Sequence, residues 1–323
     1  MANMKYLSCI GCLTAILVWP ALAPAQEYPS KPIRLVASFS TGSFQIVSHV
    51  VAENLTPVLG QPVIVDYRPG GGGNIGVEYA AKAAADGYTL AVVNSTHGVA
   101  PILNKNLKYE LLRDFVPISL LTTVPNLLVV HPSLPAKSLK ELAQLARAHP
   151  GKLTYGSGGT GSFNHLGLEL FRTLAKAEMV HVPYKGGALA LTSILSGEVD
   201  FVVSTVPATI PYVGSGRLRT LAVLTPERLP TLPNVPTSAE AGMPELVFVS
   251  WYGVAAPVGV RPEIIARLNG ELARIMQNPQ VRAQLVKVGM SPTSTSPSAF
   301  RDYIQGEVTK WTRVIREAKI QIN

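Results

Sequence analysis

The residues best suited to chemistry in this chain are glycines and small hydroxyls rather than acids, bases or thiols. Gly156-Ser157-Gly158-Gly159-Thr160-Gly161-Ser162 runs directly into a helical pattern. Its glycines let the backbone approach a bound group closely, and Thr160 and Ser162 bring hydroxyls that both donate and accept. The free N–H groups and positive dipole end of the following helix suit an anion. Three further junctions have the same character: Ser40 to Gln45, Asn94 to Gly98 and Ser204 to Ala208. All four fall at the carboxyl ends of predicted strands, where open α/β sheets place their ligands.

The candidate contacts are Phe39, Ser43 and Gln45 at the first junction, and Thr96 and His97 at the second. The third offers Gly158, Thr160, Gly161, Ser162 and His165, and the fourth Ser204 and Thr205. Lys185 can carry a full positive charge toward a second carboxylate, and Tyr184 can wall the pocket. Plainer roles stand beside each of these. Ser162 can cap its helix, Lys185 can stay solvated, Phe39 and Tyr184 can pack, and a lone histidine can brace structure.

Other chemistries lack their residues. The four junctions contain no Asp or Glu to act as general acid or base, and no G-x-S-x-G occurs. The six histidines give no close ligand pair and no H-E-x-x-H, so no metal is expected. Gly156, Gly158 and Gly161 satisfy G-x-G-x-x-G, as do Gly71, Gly73 and Gly76. A dinucleotide site also needs an acidic residue ending the next strand. After the first match that strand, Met179 to Pro183, ends in proline and Tyr184. No cofactor and no catalytic residue is assigned.

Residues 1–25 read as an export signal: Lys5, an apolar run from Ile10 to Leu22, then the cleavage pattern Ala23-Pro24-Ala25. Both cysteines, Cys9 and Cys12, fall in it, so the mature chain carries no thiol, which is compatible with an oxidising periplasm. Loss of Lys5 leaves 27 basic residues against 20 acidic, a formal net charge of +7. No Lys/Arg run interleaves with aromatics, which excludes a nucleic-acid partner. The 298 mature residues exceed a typical single core and imply two lobes.

Strands and helices alternate through both lobes. Ile33 to Ala37, Pro62 to Asp66 and Tyr88 to Asn94 read as strands, with helices at Ser43 to Leu55 and Ile75 to Ala84 between them. A second unit has strands at Asn126 to His131, Leu153 to Gly156, Met179 to Pro183, Val199 to Val203 and Leu221 to Leu224. Its helices are Ser138 to His149, Ser162 to Leu174 and Ala188 to Leu195. Val247 to Ala256 is a strand long enough to pass between lobes, and three helices finish the chain and are expected to pack back on the first lobe. The resulting division is 26–123 plus 248–323 for lobe 1 and 124–247 for lobe 2. Two chain crossings between them make a hinge.

Several segments resemble one family. They are Tyr28-Pro29-Ser30-Lys31-Pro32-Ile33-Arg34, Arg68-Pro69-Gly70-Gly71-Gly72-Gly73-Asn74-Ile75-Gly76, Asp86-Gly87-Tyr88-Thr89-Leu90, His181-Val182-Pro183-Tyr184-Lys185-Gly186 and Pro236-Thr237-Ser238-Ala239-Glu240-Ala241-Gly242. In this order they are similar to the solute-binding component of tripartite tricarboxylate transporters, the Bug-type receptors. The resemblance spans essentially the whole mature chain. It implies an α/β fold of the periplasmic-binding-protein type II, with mostly parallel sheets, and a small carboxylate held between lobes. It also implies a periplasmic location, a membrane permease of two unlike subunits as partner, and ligand contacts from the loop holding Thr160, Gly161 and Ser162; a monomer is expected, although the sequence does not fix the oligomeric state. A sensing subunit is the alternative role, and an exported hydrolase a more distant one. At the first junction the family pattern expects an aspartate where this chain has Gln45, so a plain carboxylate is expected in preference to an amino acid.

Overall fold

The computed structural model describes residues 28–317 and 320, so the export signal and both cysteines lie outside the described residues. The first lobe starts with β1 (Ile33–Ala37), α1 (Gly42–Leu59), β2 (Val63–Tyr67), α2 (Asn74–Ala81), β3 (Thr89–Asn94) and α3 (Ser95–Leu103). β1 pairs in parallel with β2 on one side and β3 on the other. Short α4 (Leu111–Asp114) leads into β4 (Phe115–Val130). The second lobe then runs α5 (Leu139–Ala148), β5 (Thr154–Ser157), α6 (Phe163–Ala175), β6 (Val180–Pro183), α7 (Gly187–Leu195), β7 (Phe201–Thr205), α8 (Val206–Gly214) and β8 (Arg219–Val223). The chain returns through β9 (Val249–Pro257) and ends with α9 (Pro262–Gln277), α10 (Pro279–Lys287), β10 (Ser291–Pro292) and α11 (Pro297–Glu317).

The strand order is β2-β1-β3-β9-β4-β7-β5-β6, with β8 and β10 also on β4. This is an α/β fold in two lobes, each with a parallel set of three strands completed by antiparallel crossing strands. β4 belongs to both lobes. Phe115 to Pro125 pair with β9, and Asn126 to Val130 pair with β7 and β8. At the changeover Asn126 Nδ2 donates to Phe248 O at 3.2 Å and to Ser250 Oγ at 3.0 Å, tying the two crossing strands together.

The sequence pattern accounts for only the last third of β4, because Pro117 and Pro125 read as strand breakers. The structure accommodates Pro117 at a register shift, one of two bulges where β4 slips against β9. α3 and α8 were expected as polar junctions without a helical span. Asn94 caps α3, with its side chain accepting from Thr96 N–H, and Pro207 sits in the first turn of α8, where its missing N–H costs nothing.

Apolar clusters sit on either side of the crossing. Leu35, Val51, Leu55, Leu90, Val254 and Leu268 bury together in the first lobe, and Leu128, Val130, Leu139, Leu166, Phe171 and Phe201 in the second. α9 packs on the first lobe as expected, but α11 does not stay there. Its Phe300 and Ile304 bury with Trp251 of the first lobe. Trp311 meets Phe163 of the second lobe and Phe248, at the point where the chain returns to the first, edge-on, with ring centroids 5.3 and 5.5 Å away. The 21-residue helix, about 31 Å long at 1.5 Å per residue, outreaches a single lobe face. Among the described residues no helix is long and apolar enough to cross a membrane.

Candidate functional site

Five helices begin at the wall of a cavity of about 320 Å³ between the lobes. Each follows a strand by a short turn: β1 to α1, β3 to α3, β5 to α6, β6 to α7 and β7 to α8. Local sequence explains the turns. Gly42, Gly159, Gly161 and Gly186 all hold positive φ, which side-chain-bearing residues avoid. Asn94 and Ser162 cap α3 and α6 through their side chains, whereas the N-caps of α1, α7 and α8 (Thr41, Gly186 and Thr205) make no side-chain cap. Three helix tips therefore present first-turn N–H groups that no capping side chain satisfies.

Ser43, Thr96, Ser162, Asn164, Ser204 and Thr205 supply the polar lining, and Phe39, Leu191, Leu195 and Ala208 the apolar part. Among the described residues no Asp, Glu, Lys, Arg or His lines the cavity. Tyr252, on crossing strand β9, completes it. Its ring stands edge-on to Phe44, centroids 5.2 Å apart. Burial pushes its phenol up to about 12, against hydrogen bonds to Ser43 and Asn94 that pull the other way. It remains a neutral donor over the ordinary pH range.

The two lobes touch across the cavity. Ser43 Oγ donates to Thr205 Oγ1 at 3.2 Å, and Phe163 N–H donates to Thr96 Oγ1 at 3.2 Å. The lobes also approach where Gly72 of the first lobe lies against the Gly159–Thr160 backbone; a Cβ on Gly72 would stand 3.1 Å from Thr160 O. The Phe39 ring lies against Gly186.

Two buried histidines hold these loops from behind. Asn94 N–H donates to His97 Nδ1 at 3.1 Å, so Nδ1 is an acceptor and the proton sits on Nε2, which reaches Gly73 O at 3.0 Å. Burial depresses His97 to about 4 despite its bond to Gly73. In the second lobe Gly161 N–H donates to His165 Nδ1 at 3.2 Å, and His181 Nε2 sits 2.7 Å from Ser157 Oγ. The two rings stack with centroids 3.7 Å apart. Burial first, then the neighbouring His181, depress His165 to about 4, with Glu169 opposing.

Comparison with known proteins decides the family. Residues 47–320 match the tripartite tricarboxylate transporter family receptor. Protein BugT of Bordetella pertussis is 37% identical over 98% of both chains. The chain belongs to this receptor family. An R. palustris protein solved with adipate superposes on the receptor with a TM-score of 0.87 at 35% identity, covering 91% of this chain and 99% of that one. A second, from Rhodopseudomonas palustris with bound malate, gives 0.85 at 29% identity over 89% and 100%. These structural neighbours are binding proteins with the same two-lobe architecture.

Of the receptor's expected contacts, Phe39, Ser43, Thr96, Gly158, Ser162, Ser204 and Thr205 come together at the cavity. The other seven do not line it. His97 and His165 are turned inward because backbone amides claim their Nδ1 atoms. Thr160 is exposed with its carbonyl close to Gly72, and Gly161 serves the turn, donating to His165. Lys185 is exposed, and Tyr184 packs under Gly156. Gln45 is exposed on α1 and is not among the lining residues. Among the described residues the cavity lining contains no carboxylate. Sequence reasoning missed Tyr252 and the α7 face. For the latter a signal existed: Ala188, Leu191 and Leu195 fall on one helical stripe.

Proposed function

We propose that the receptor is a periplasmic solute-binding protein that closes around a small organic carboxylate and passes it, unchanged, to a tripartite permease. The observation that carries this reading is the meeting of three uncapped helix N-termini in a cavity that no acidic side chain lines. Fixed N–H dipoles in a water-poor space favour an anion without any cationic side chain. The adipate and malate held by the two similar proteins fit that chemistry.

Lobe 1, 26–123 plus 248–323, and lobe 2, 124–247, swing about β4 and β9, with α11 spanning the back of the hinge. Ligand bridging Ser43 and Thr205 favours the closed form, and the closed form is what the permease reads. With no acid–base pair in the cavity the ligand leaves as it entered, as a monomeric transport receptor requires.

Calorimetry of the mature protein against a panel of small carboxylates and their carboxamides tests this, with mass spectrometry of the recovered ligand. One carboxylate per chain should bind, its amide should not, and the ligand should be recovered unaltered. Binding of none of the panel, equal binding of the amides, or a chemically changed ligand would overturn the proposal.

A further inference from the structure

α11 straps the two lobes together, and its halves are anchored unequally. Phe300 and Ile304 are fully buried in one cluster with Trp251, and Val308 faces Gly98 of α3, so this half moves with the first lobe. Past Val308, Trp311 alone of the described residues of α11 is fully buried, while Val314 and Ile315 are half-buried. The indole N–H of Trp311 donates to Glu307 Oε2 at 3.2 Å, one turn back, which fixes the ring to its own helix.

The rings that Trp311 meets move with the other lobe. Phe163, the first residue of α6, stacks on Phe248 with centroids 4.0 Å apart. The Phe248 ring fills a notch at Gly167 of α6, where a Cβ would stand 2.8 Å from it, so Phe248 rides with α6. Val99 of α3 is buried in the same cluster. Val99, Phe163, Phe248 and Trp311 do not line the cavity, yet Phe163 reaches its wall through the backbone. As the first N–H of α6 it has no carbonyl of its own helix to bond, and it donates to Thr96 Oγ1 of the first lobe at 3.2 Å. Thr96 and the neighbouring Ser162 both line the cavity.

We propose that Trp311 is an interlobe latch, a positioning residue that holds the α6 tip against Thr96 and so sets how readily the lobes part. Opening carries Trp311 away with the first lobe and strips the Phe163–Phe248 pair of its third ring. The contact therefore favours the closed form whichever ligand is bound. The proposal rests on the lobe-closure reading above, but its test needs no ligand, so its failure leaves the receptor reading standing.

Amide hydrogen exchange of the mature, ligand-free protein, followed by NMR with and without dilute urea, reads the opening at Phe163 N–H. In the parent protein this amide should exchange slowly and at a rate indifferent to dilute urea, because parting the lobes exposes far less surface than unfolding. Trp311→Leu should speed it about tenfold, still without urea dependence, and Trp311→Phe about threefold. The phenylalanine variant carries the test if the leucine variant fails to fold. Thr96→Val removes the acceptor with Trp311 in place and should also speed exchange. The proposal is overturned by an unchanged rate in the Trp311 variants, or by an acceleration seen only together with the urea-dependent amides of the α6 interior. A Thr96→Val rate equal to the parent's would overturn it too.

Discussion

Acidification should destabilise the receptor through the two histidines behind its binding loops. In the unfolded chain a histidine titrates near its ordinary 6.5, whereas His97 and His165 are held at about 4 in the fold. As pH falls below about 6.5 the unfolded chain takes up protons first, so stability drops from there down to about pH 4 and no further from these groups. Each gap is worth on the order of 3 kcal/mol when fully titrated, and about 2 kcal/mol at pH 5. Together the pair removes roughly 4 kcal/mol, or about 10 °C in melting temperature, between pH 7.5 and 5.0. Differential scanning calorimetry at both pH values reads the total, and His97→Asn isolates one share. Asn keeps an acceptor near the Asn94 N–H but cannot charge, so its pH-dependent loss should be smaller by about 2 kcal/mol, whatever its stability at pH 7.5. Equal pH dependence in the variant and the parent protein, or an NMR titration of His97 near its ordinary value, would refute the reasoning.

Tyr252→Phe removes the phenol and its hydrogen bonds to Ser43 and Asn94 while keeping the ring on Phe44; it should weaken carboxylate binding by about fivefold in calorimetry and cost about 1 kcal/mol in a thermal melt. Gly72→Ala places a Cβ 3.1 Å from Thr160 O at a φ of +65°. It should reduce ligand affinity about tenfold, a larger effect than the roughly 1 kcal/mol it costs in a thermal melt. Trp311→Ala empties the contact between α11 and the second lobe, and should cost about 3–5 kcal/mol in denaturant unfolding.

Much of the fold was legible because hydrophobic period and capping residues agree locally. β1, α5 and α6 lie within a residue or two of their predicted spans, since Ser138 and Ser162 mark helix starts that their side chains do cap. β4 was not legible over Phe115 to Pro125, because proline argues against a central strand unless a bulge absorbs it, and bulges leave no mark in one sequence. At the site, helix tips could be found as glycine–hydroxyl junctions. Which side chains at those tips face inward depends on the rotation of each helix, and this separates Ser43 from Gln45, two residues apart on α1. The inward turn of His97 and His165 depends on amides, of Asn94 and Gly161, that only the folded loops bring to them. Tyr252 reads as one more apolar residue of a crossing strand until β9 is paired with β3 and β4.

A crystal structure with a bound carboxylate tests the helix-tip clamp most directly. The carboxylate oxygens should lie within hydrogen-bonding distance of first-turn N–H groups of α1, α7 or α8, with Ser43, Thr205 or Tyr252 beside them and no Lys or Arg side chain in contact. A carboxylate paired with Lys185 or Arg217, or seated outside the cavity between the lobes, would contradict it.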